Sequence, residues 1–190
     1  VTVERKPNRG PSAGPENRRA LIAAARAVFA EDGYDAPLSR IAKRAGVGQG
    51  SLYRHFPDRQ SIALAVFDEN LADLEAFIAD PDRTLDDLFA KLISQSIAHS
   101  SLIDFMMRER ADDAVVDLGG RLRTIVELAV EHERAAGRLA SAASTDDVLL
   151  AVSLIAALVS RTPPADRRAV AERAWALLHA GMGAARPANG

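Results

Sequence analysis

Sixteen consecutive residues constrain this chain more than the rest of it. Residues 41–56 read Ile-Ala-Lys-Arg-Ala-Gly-Val-Gly-Gln-Gly-Ser-Leu-Tyr-Arg-His-Phe, the pattern of two short helices hinged at Gly46. Ala42, four residues before that glycine, is small enough to let two helices approach closely. Gly46 supplies the positive φ that a three- or four-residue turn needs. Val47 and Leu52 can then drop into the cleft between the helices, with a Tyr-Arg-His tip at residues 53–55. This is the spacing of a helix-turn-helix whose second helix enters the major groove of DNA.

The rest of the pattern is helical too. Leu21, Ile22, Ala25, Val28 and Phe29 recur at spacings of three and four, so a first helix should start at Pro15 or Glu16 and stop at Gly33. The second turns Leu38, Ile41, Ala42 and Ala45 inward, and the third covers residues 49–55. A fourth begins at Asp58 or Arg59 and runs through Ile78, long enough to connect one domain to the next. Beyond Pro81, Thr84 caps a segment that buries Leu85, Leu88, Phe89, Leu92, Ile93 and Ile97. A short helix is expected at 102–110 and another from about 120 to 136, ended by Gly137. Thr145 is expected to cap a helix over 148–160. Pro163 and Pro164 separate it from a last helix reaching Met182. No strand pattern or repeat occurs, and alanine and leucine dominate the apolar residues, so the expected fold class is all-α.

Charge divides the chain. Residues 1–60 carry eleven Lys or Arg against six Asp or Glu, and residues 61–190 carry thirteen against twenty. The overall net charge of −2 therefore hides a basic head and an acidic body, which suits a first part that meets phosphates. Residues 1–14, with Arg5, Lys6 and Arg9 among Pro, Gly, Ser and Asn, read as a basic arm. It either reaches DNA or is simply an untethered terminus.

Residues 17–67 resemble the N-terminal domain of the TetR family of transcriptional regulators. The resemblance rests on Ala25, Phe29, Gly33, Tyr34, Ile41, Ala42, Ala45, Gly46, Val47, Gly50, Leu52, Tyr53, Phe56 and Arg59. It covers about a third of the chain; the remainder is similar only in length and helical character. Two positions depart from the family's usual form. Pro37 stands where a Thr is usual, in a loop that looks one residue short, and Gly48 replaces the Ser or Thr that caps the recognition helix. Glycine at an N-cap costs only a few tenths of a kcal/mol relative to those residues. The resemblance implies a three-helix DNA-binding domain at 15–60 and a helical effector-binding and dimerisation domain at 61–185, followed by a tail at 186–190.

Within the head, Gln49, Ser51 and Arg54 are the candidate readers of base edges, since Gln pairs with adenine and Arg with guanine. Tyr53 and His55 carry polar tips suited to phosphate oxygens, and Gly50 lets the backbone approach a phosphate. Ser39, Arg40 and Arg44 are candidate anchors on the neighbouring backbone strand, and Arg18 and Arg19 from the first helix either join them or remain solvated. Arg59 occupies the place where the family usually has a Lys that grips phosphate. One such short helix supplies too few contacts for tight specific binding, because each correct base pair adds about 1–3 kcal/mol. A dimer on a palindromic site is therefore expected.

The helix at 148–159 is apolar nearly all round and must be buried on most sides. With Val152, Ile155 and Val159 from it, and Val170, Ala174, Leu177, Leu178 and Gly181 from the last helix, a four-helix homodimer interface is expected. Burial of both helices in the core of one protomer is the other reading. The resemblance further implies a small-molecule effector, for which Leu71, Leu74, Phe77, Leu92, Ser96, His99, Phe105, Met106, Leu122 and Ile125 are candidate lining residues. Each of these also fits an ordinary core.

An enzyme is not expected, nor is a cofactor or metal. The chain has no cysteine, phosphate loop or nucleophile elbow. Its four histidines, His55, His99, His132 and His179, are far apart in sequence. A cytoplasmic, soluble protein is expected. The start lacks a signal-type apolar core, and the longest apolar run, about twelve residues, falls short of the roughly 20 that span a bilayer. The competing reading is an all-helical adaptor that uses its basic head on protein or membrane.

Overall fold

The computed structural model describes residues 14–98, 112–139 and 143–183. Among these residues lie eight helices: α1 (Gly14–Asp32), α2 (Leu38–Ala45), α3 (Gln49–His55), α4 (Arg59–Ile78), α5 (Leu85–Ala98), α6 (Asp113–Ala135), α7 (Thr145–Ser160) and α8 (Arg167–Gly183). They are the only regular elements among the described residues. The basic arm, the helix expected at 102–110 and the tail at 186–190 lie outside the described residues. The chain divides into two compact units, Val1–Val66 and Phe67–Gly190, with the boundary inside α4.

In the first unit α1 packs against α2 and α3. Leu21, Ile22, Ala25, Val28 and Phe29, the residues whose spacing marked the inner face of α1, are all buried. Ile41 and Ala42 of α2, Leu52 of α3, and Phe56 close this small core together with Ile62, Ala63 and Val66 of α4.

In the second unit α5, α6, α7 and α8 pack on one another. Buried residues include Leu85, Leu88 and Phe89 of α5, Ile125, Val126 and Ala129 of α6, Val148, Ala151, Ile155 and Val159 of α7, and Trp175 of α8. The second half of α4 belongs here, with Leu71, Leu74 and Ile78 buried. Arg121 of α6 pairs with Glu75 of α4 through Nε (2.8 Å) and Nη2 (3.0 Å), and with Asp68 through Nη1 (2.5 Å).

Two expectations are corrected. Helix α6 starts seven residues earlier than position 120: Asp112 caps it by accepting from the Ala114 amide, and the helix continues through Gly119 and Gly120. Glycine in a helix costs about 1 kcal/mol relative to alanine. Val115 and Leu118 are both buried, and burying such side chains contributes about 1.5–3 kcal/mol each, which outweighs the two glycines. The cap of α7 is Ser144, not Thr145. Its hydroxyl accepts from the Asp147 amide while the Asp147 carboxylate accepts from the Ser144 amide, a reciprocal capping box.

Candidate nucleic-acid interface

The turn between α2 and α3 is built by Gly46. Its φ of 67° lies in the left-handed region, where a side chain would clash with its own backbone. In that conformation the Gly46 amide donates to the Lys43 carbonyl at 3.2 Å and the Val47 amide to the Ala42 carbonyl at 3.0 Å. These bonds satisfy the last carbonyls of α2 and reverse the chain within two residues. Helix α3 then starts at Gly48, which is extended and offers no side-chain cap; Pro37 at the start of α2 offers none either.

The inner side of α3 is Leu52, with Phe56 just beyond its end, and both are buried. Its outer side presents Gln49, Gly50, Tyr53 and Arg54, all exposed, with Ser51 and His55 half-buried. Tyr53 stands 52% exposed. Few large apolar rings are left in water, and a phenol held there by a buried neighbour is suited to contact with a partner. Arg54 Nε donates to the Gly50 carbonyl at 3.1 Å, which lays the side chain back along its own helix.

The arginines of α2 have partners that the sequence pattern did not disclose. Arg40 Nε meets Asp32 at 2.8 Å, and Arg44 Nη1 meets Glu31 at 2.5 Å. The hydrogen bond from Arg44 holds the Glu31 carboxyl below its usual range, and Glu31 in turn raises Arg44. The only signal in the sequence was the acidic pair immediately before Gly33. Ser39 is exposed beside them. Arg18 lies over the Phe56 ring, 5.3 Å from its centroid, and Arg19 is exposed.

Arg59 differs from its expected place on a phosphate. It is half-buried, its Nη1 donates to the carbonyls of Tyr34 and Ala36, and its guanidinium lies 5.5 Å from the Tyr34 ring centroid. These contacts fasten the loop from α1 to α2 onto the start of α4, so its first task is to hold that loop.

The other predicted sets scatter more. Leu71, Leu74 and Ile125 are buried, and Phe77, Leu92, Ser96 and Leu122 are half-buried. His99, Phe105 and Met106 lie outside the described residues. Leu92 and Ser96 border a cleft of about 20 Å³ beside Val152, Ile155 and Val159, too small for an organic ligand. Phe77 is flanked by Arg83 and Lys91, at 4.6 and 4.5 Å from its ring centroid.

On α7, Ile155 and Val159 are buried within the chain, so they are core and not free surface. Val152, Val170, Ala174 and Leu178 are half-buried, whereas Gly181 is exposed. On these two helices the exposed large apolar residues are Leu150 (58% exposed), Leu154 (53%) and Leu158 (44%) of α7, and Leu177 (69%) of α8. The three leucines of α7 are spaced by four and form one ridge. Periodicity could not find them because nearly every residue around them is apolar too. Among the described residues no group of three or more acidic, His or Cys side chains is placed to hold a metal.

Comparison with known proteins agrees with this geometry. Residues 21–66 match the family described as bacterial regulatory proteins, tetR family. An HTH-type transcriptional regulator of Staphylococcus aureus (strain USA300) is 31% identical over 97 residues, 50% of this chain and 51% of that protein. The chain thus matches about half the length of that relative. A TetR transcriptional regulator from Streptomyces coelicolor superposes with a TM-score of 0.68 and 29% identity, over 89% of this chain and 99% of that one. The TetR transcription regulatory protein from Mycobacterium vanbaalenii shares the fold, with a TM-score of 0.64 and 22% identity over 91% of this chain and 98% of that one. Residues 21–66, with the glycine-hinged α2–α3 pair among them, thus match the TetR family of helix-turn-helix transcriptional regulators, and the chain shares the fold of solved TetR regulators.

Proposed function

We propose that this chain binds a palindromic operator as a homodimer and represses transcription until a small molecule bound by the second unit releases it. The observation that carries the DNA-binding part is the outer side of α3. Gln49, Tyr53 and Arg54 are exposed on a seven-residue helix whose other side is anchored by buried Leu52 and Phe56. In this reading Gln49, Ser51 and Arg54 meet base edges. Gly50, Tyr53 and His55 meet phosphates. Ser39, Arg40 and Arg44 grip the flanking backbone strand, the two arginines exchanging Asp32 and Glu31 for phosphate. Such an exchange is inexpensive, because exposed ion pairs contribute little in water.

The dimer reading is supported by the leucine ridge of α7 and by Leu177, apolar surface that a second copy of the same face would cover. Leu154→Glu together with Leu158→Glu should leave a folded monomer on sedimentation. For release, a ligand must bind one of two conformations better than the other. Moving a 1:99 mixture to 99:1 needs about 5.5 kcal/mol of preference.

The test is selection of duplexes from a randomised pool by the wild-type chain, followed by salt titration. An enriched inverted repeat is expected, with log affinity falling linearly as log salt rises. Tyr53→Ala should weaken all sequences alike, and Arg54→Ala should also relax the sequence preference. No enrichment, flat salt dependence, or undiminished binding by Tyr53→Ala would overturn the docking.

A further inference from the structure

A groove of about 550 Å³ lies between α5 and α8, within the second unit. Its size is in the range of small-molecule sites, roughly 300–1,000 Å³, and it was not among the expected ligand residues. Its floor is apolar: Phe89, Ile93 and Trp175 are buried beneath it. The Phe89 and Trp175 rings are stacked, 4.0 Å apart at 11°, so the floor is a rigid aromatic plate.

At one edge stands Asp86, and both of its protein partners use the same oxygen. Trp175 Nε1 donates to Asp86 Oδ1 at 2.6 Å, and His179 Nδ1 lies 2.8 Å from that oxygen. The carboxylate is therefore fixed in orientation while its side chain remains 65% exposed, and Oδ2 is left for an incoming donor. Glu172 adds a second carboxylate at the rim, facing Arg168 at 3.8 Å.

We propose that this groove binds a compact lipophilic organic cation, whose hydrocarbon body covers the aromatic floor and whose ammonium donates to Asp86 Oδ2. An ammonium on a carboxylate makes a charge-assisted hydrogen bond. A carboxylate ligand meets Asp86 and Glu172 here, and the guanidinium of Arg168 on the lining already faces Glu172. A neutral one desolvates Asp86 without replacing its water. The groove stays open in the proposed dimer: Leu177 is two residues from both Trp175 and His179, about 200° around the helix from each. The binding stands on the groove alone; only its use as the release signal rests on the function proposed above.

Trp175 is the sole tryptophan of the chain, so its fluorescence reads this site directly. The probes are 4-phenylbutylamine and 4-phenylbutyrate, which share one apolar body with opposite charges, titrated against the full chain at pH 7.5. The amine should change Trp175 emission saturably and bind at least 10-fold tighter than the acid. Asp86→Asn, which keeps an acceptor for Trp175, should weaken the amine at least 10-fold with an unchanged circular-dichroism spectrum. Should that variant misfold, the amine–acid contrast on the wild-type chain decides alone. Equal binding of the two probes, no saturable change, or a folded Asp86→Asn that binds the amine as well as wild type would overturn the proposal. Amine binding that leaves affinity for the selected duplex unchanged keeps the groove and removes its part in release. Release by another compound with Trp175 silent removes the groove and keeps release.

Discussion

The two helices of the helix-turn-helix start without a side-chain cap, whereas the next four helices among the described residues start with one. Pro37 and Gly48 precede α2 and α3 and offer no side-chain acceptor to the amides there. By contrast, Asp58 accepts from the Ser61 amide at 2.7 Å, and Thr84 and Asp87 cap α5 reciprocally. Asp112 caps α6, and Ser144 with Asp147 caps α7. The second unit goes further: buried Glu133 of α6 accepts from the Leu85 amide at 3.0 Å and from Arg138 Nε at 2.9 Å. Burial alone pushes the Glu133 carboxyl up. The Arg138 guanidinium, the Leu85 amide and the positive surroundings outweigh that and hold it below the ordinary carboxylate value. At the starts of α5, α6 and α7, polar groups are satisfied from within. On the outer edge of the first unit, amides are left to solvent and the arginines to exposed acids, partners that a phosphate can replace.

That contrast can be broken or sharpened experimentally. The largest effect should come from Phe56→Ala, because α3 is held chiefly by its apolar inner side. A loss of about 3–5 kcal/mol in the denaturant transition of the first unit is expected, and a loss below 1 kcal/mol would mean that something else holds the helix. Next, Glu133→Gln should cost the second unit about 2 kcal/mol. Since the folded carboxyl titrates below its unfolded value, this contribution is present above about pH 4.5 and is lost as pH falls through the lower folded value. Melting curves of wild type and variant should therefore converge in acid, and a constant gap would contradict the ion-pair account.

Arg59→Lys keeps the charge but cannot hold two carbonyls and a ring in one plane. It should cost about 1.5 kcal/mol, read by chemical denaturation, and should weaken binding to the selected duplex without changing the salt slope. A pure phosphate contact would be rescued by lysine. Ser144→Ala should cost about 1 kcal/mol through the lost cap, visible in the melting of the second unit. The smallest effect is the reverse operation, Gly48→Ser, which should add a few tenths of a kcal/mol. A gain above 1 kcal/mol would show that the bare start of α3 is strained and not merely open.

The helix-turn-helix was legible because its determinants are adjacent in sequence. Gly46 turns the chain by its own backbone freedom, and Leu52 and Phe56 fall inside by helical period. The pairing of Arg40 with Asp32 and Arg44 with Glu31 was not legible. Those residues meet only because α1 and α2 pack at an angle that the core decides. Arg59 likewise reaches back more than twenty residues to Tyr34 and Ala36, a contact that no local pattern encodes.

In the second unit the same division appears in sharper form. Helical period and terminal residues announced the helices among its described residues, apart from the early start of α6, where buried Val115 and Leu118 outweigh two glycines. On the nearly all-apolar α7, hydrophobicity has no direction, so only packing could put Ile155 and Val159 inside and leave Leu150, Leu154 and Leu158 out. The same is true of the Asp86–Trp175–His179 cluster, joined from two helices 89 residues apart in the chain. Amino-acid order by itself determined where helices run and which short pair forms the helix-turn-helix, because those depend on neighbours within a few turns. Which faces stay uncovered and which charges meet was decided by tertiary packing, because those depend on residues that only the folded chain brings together.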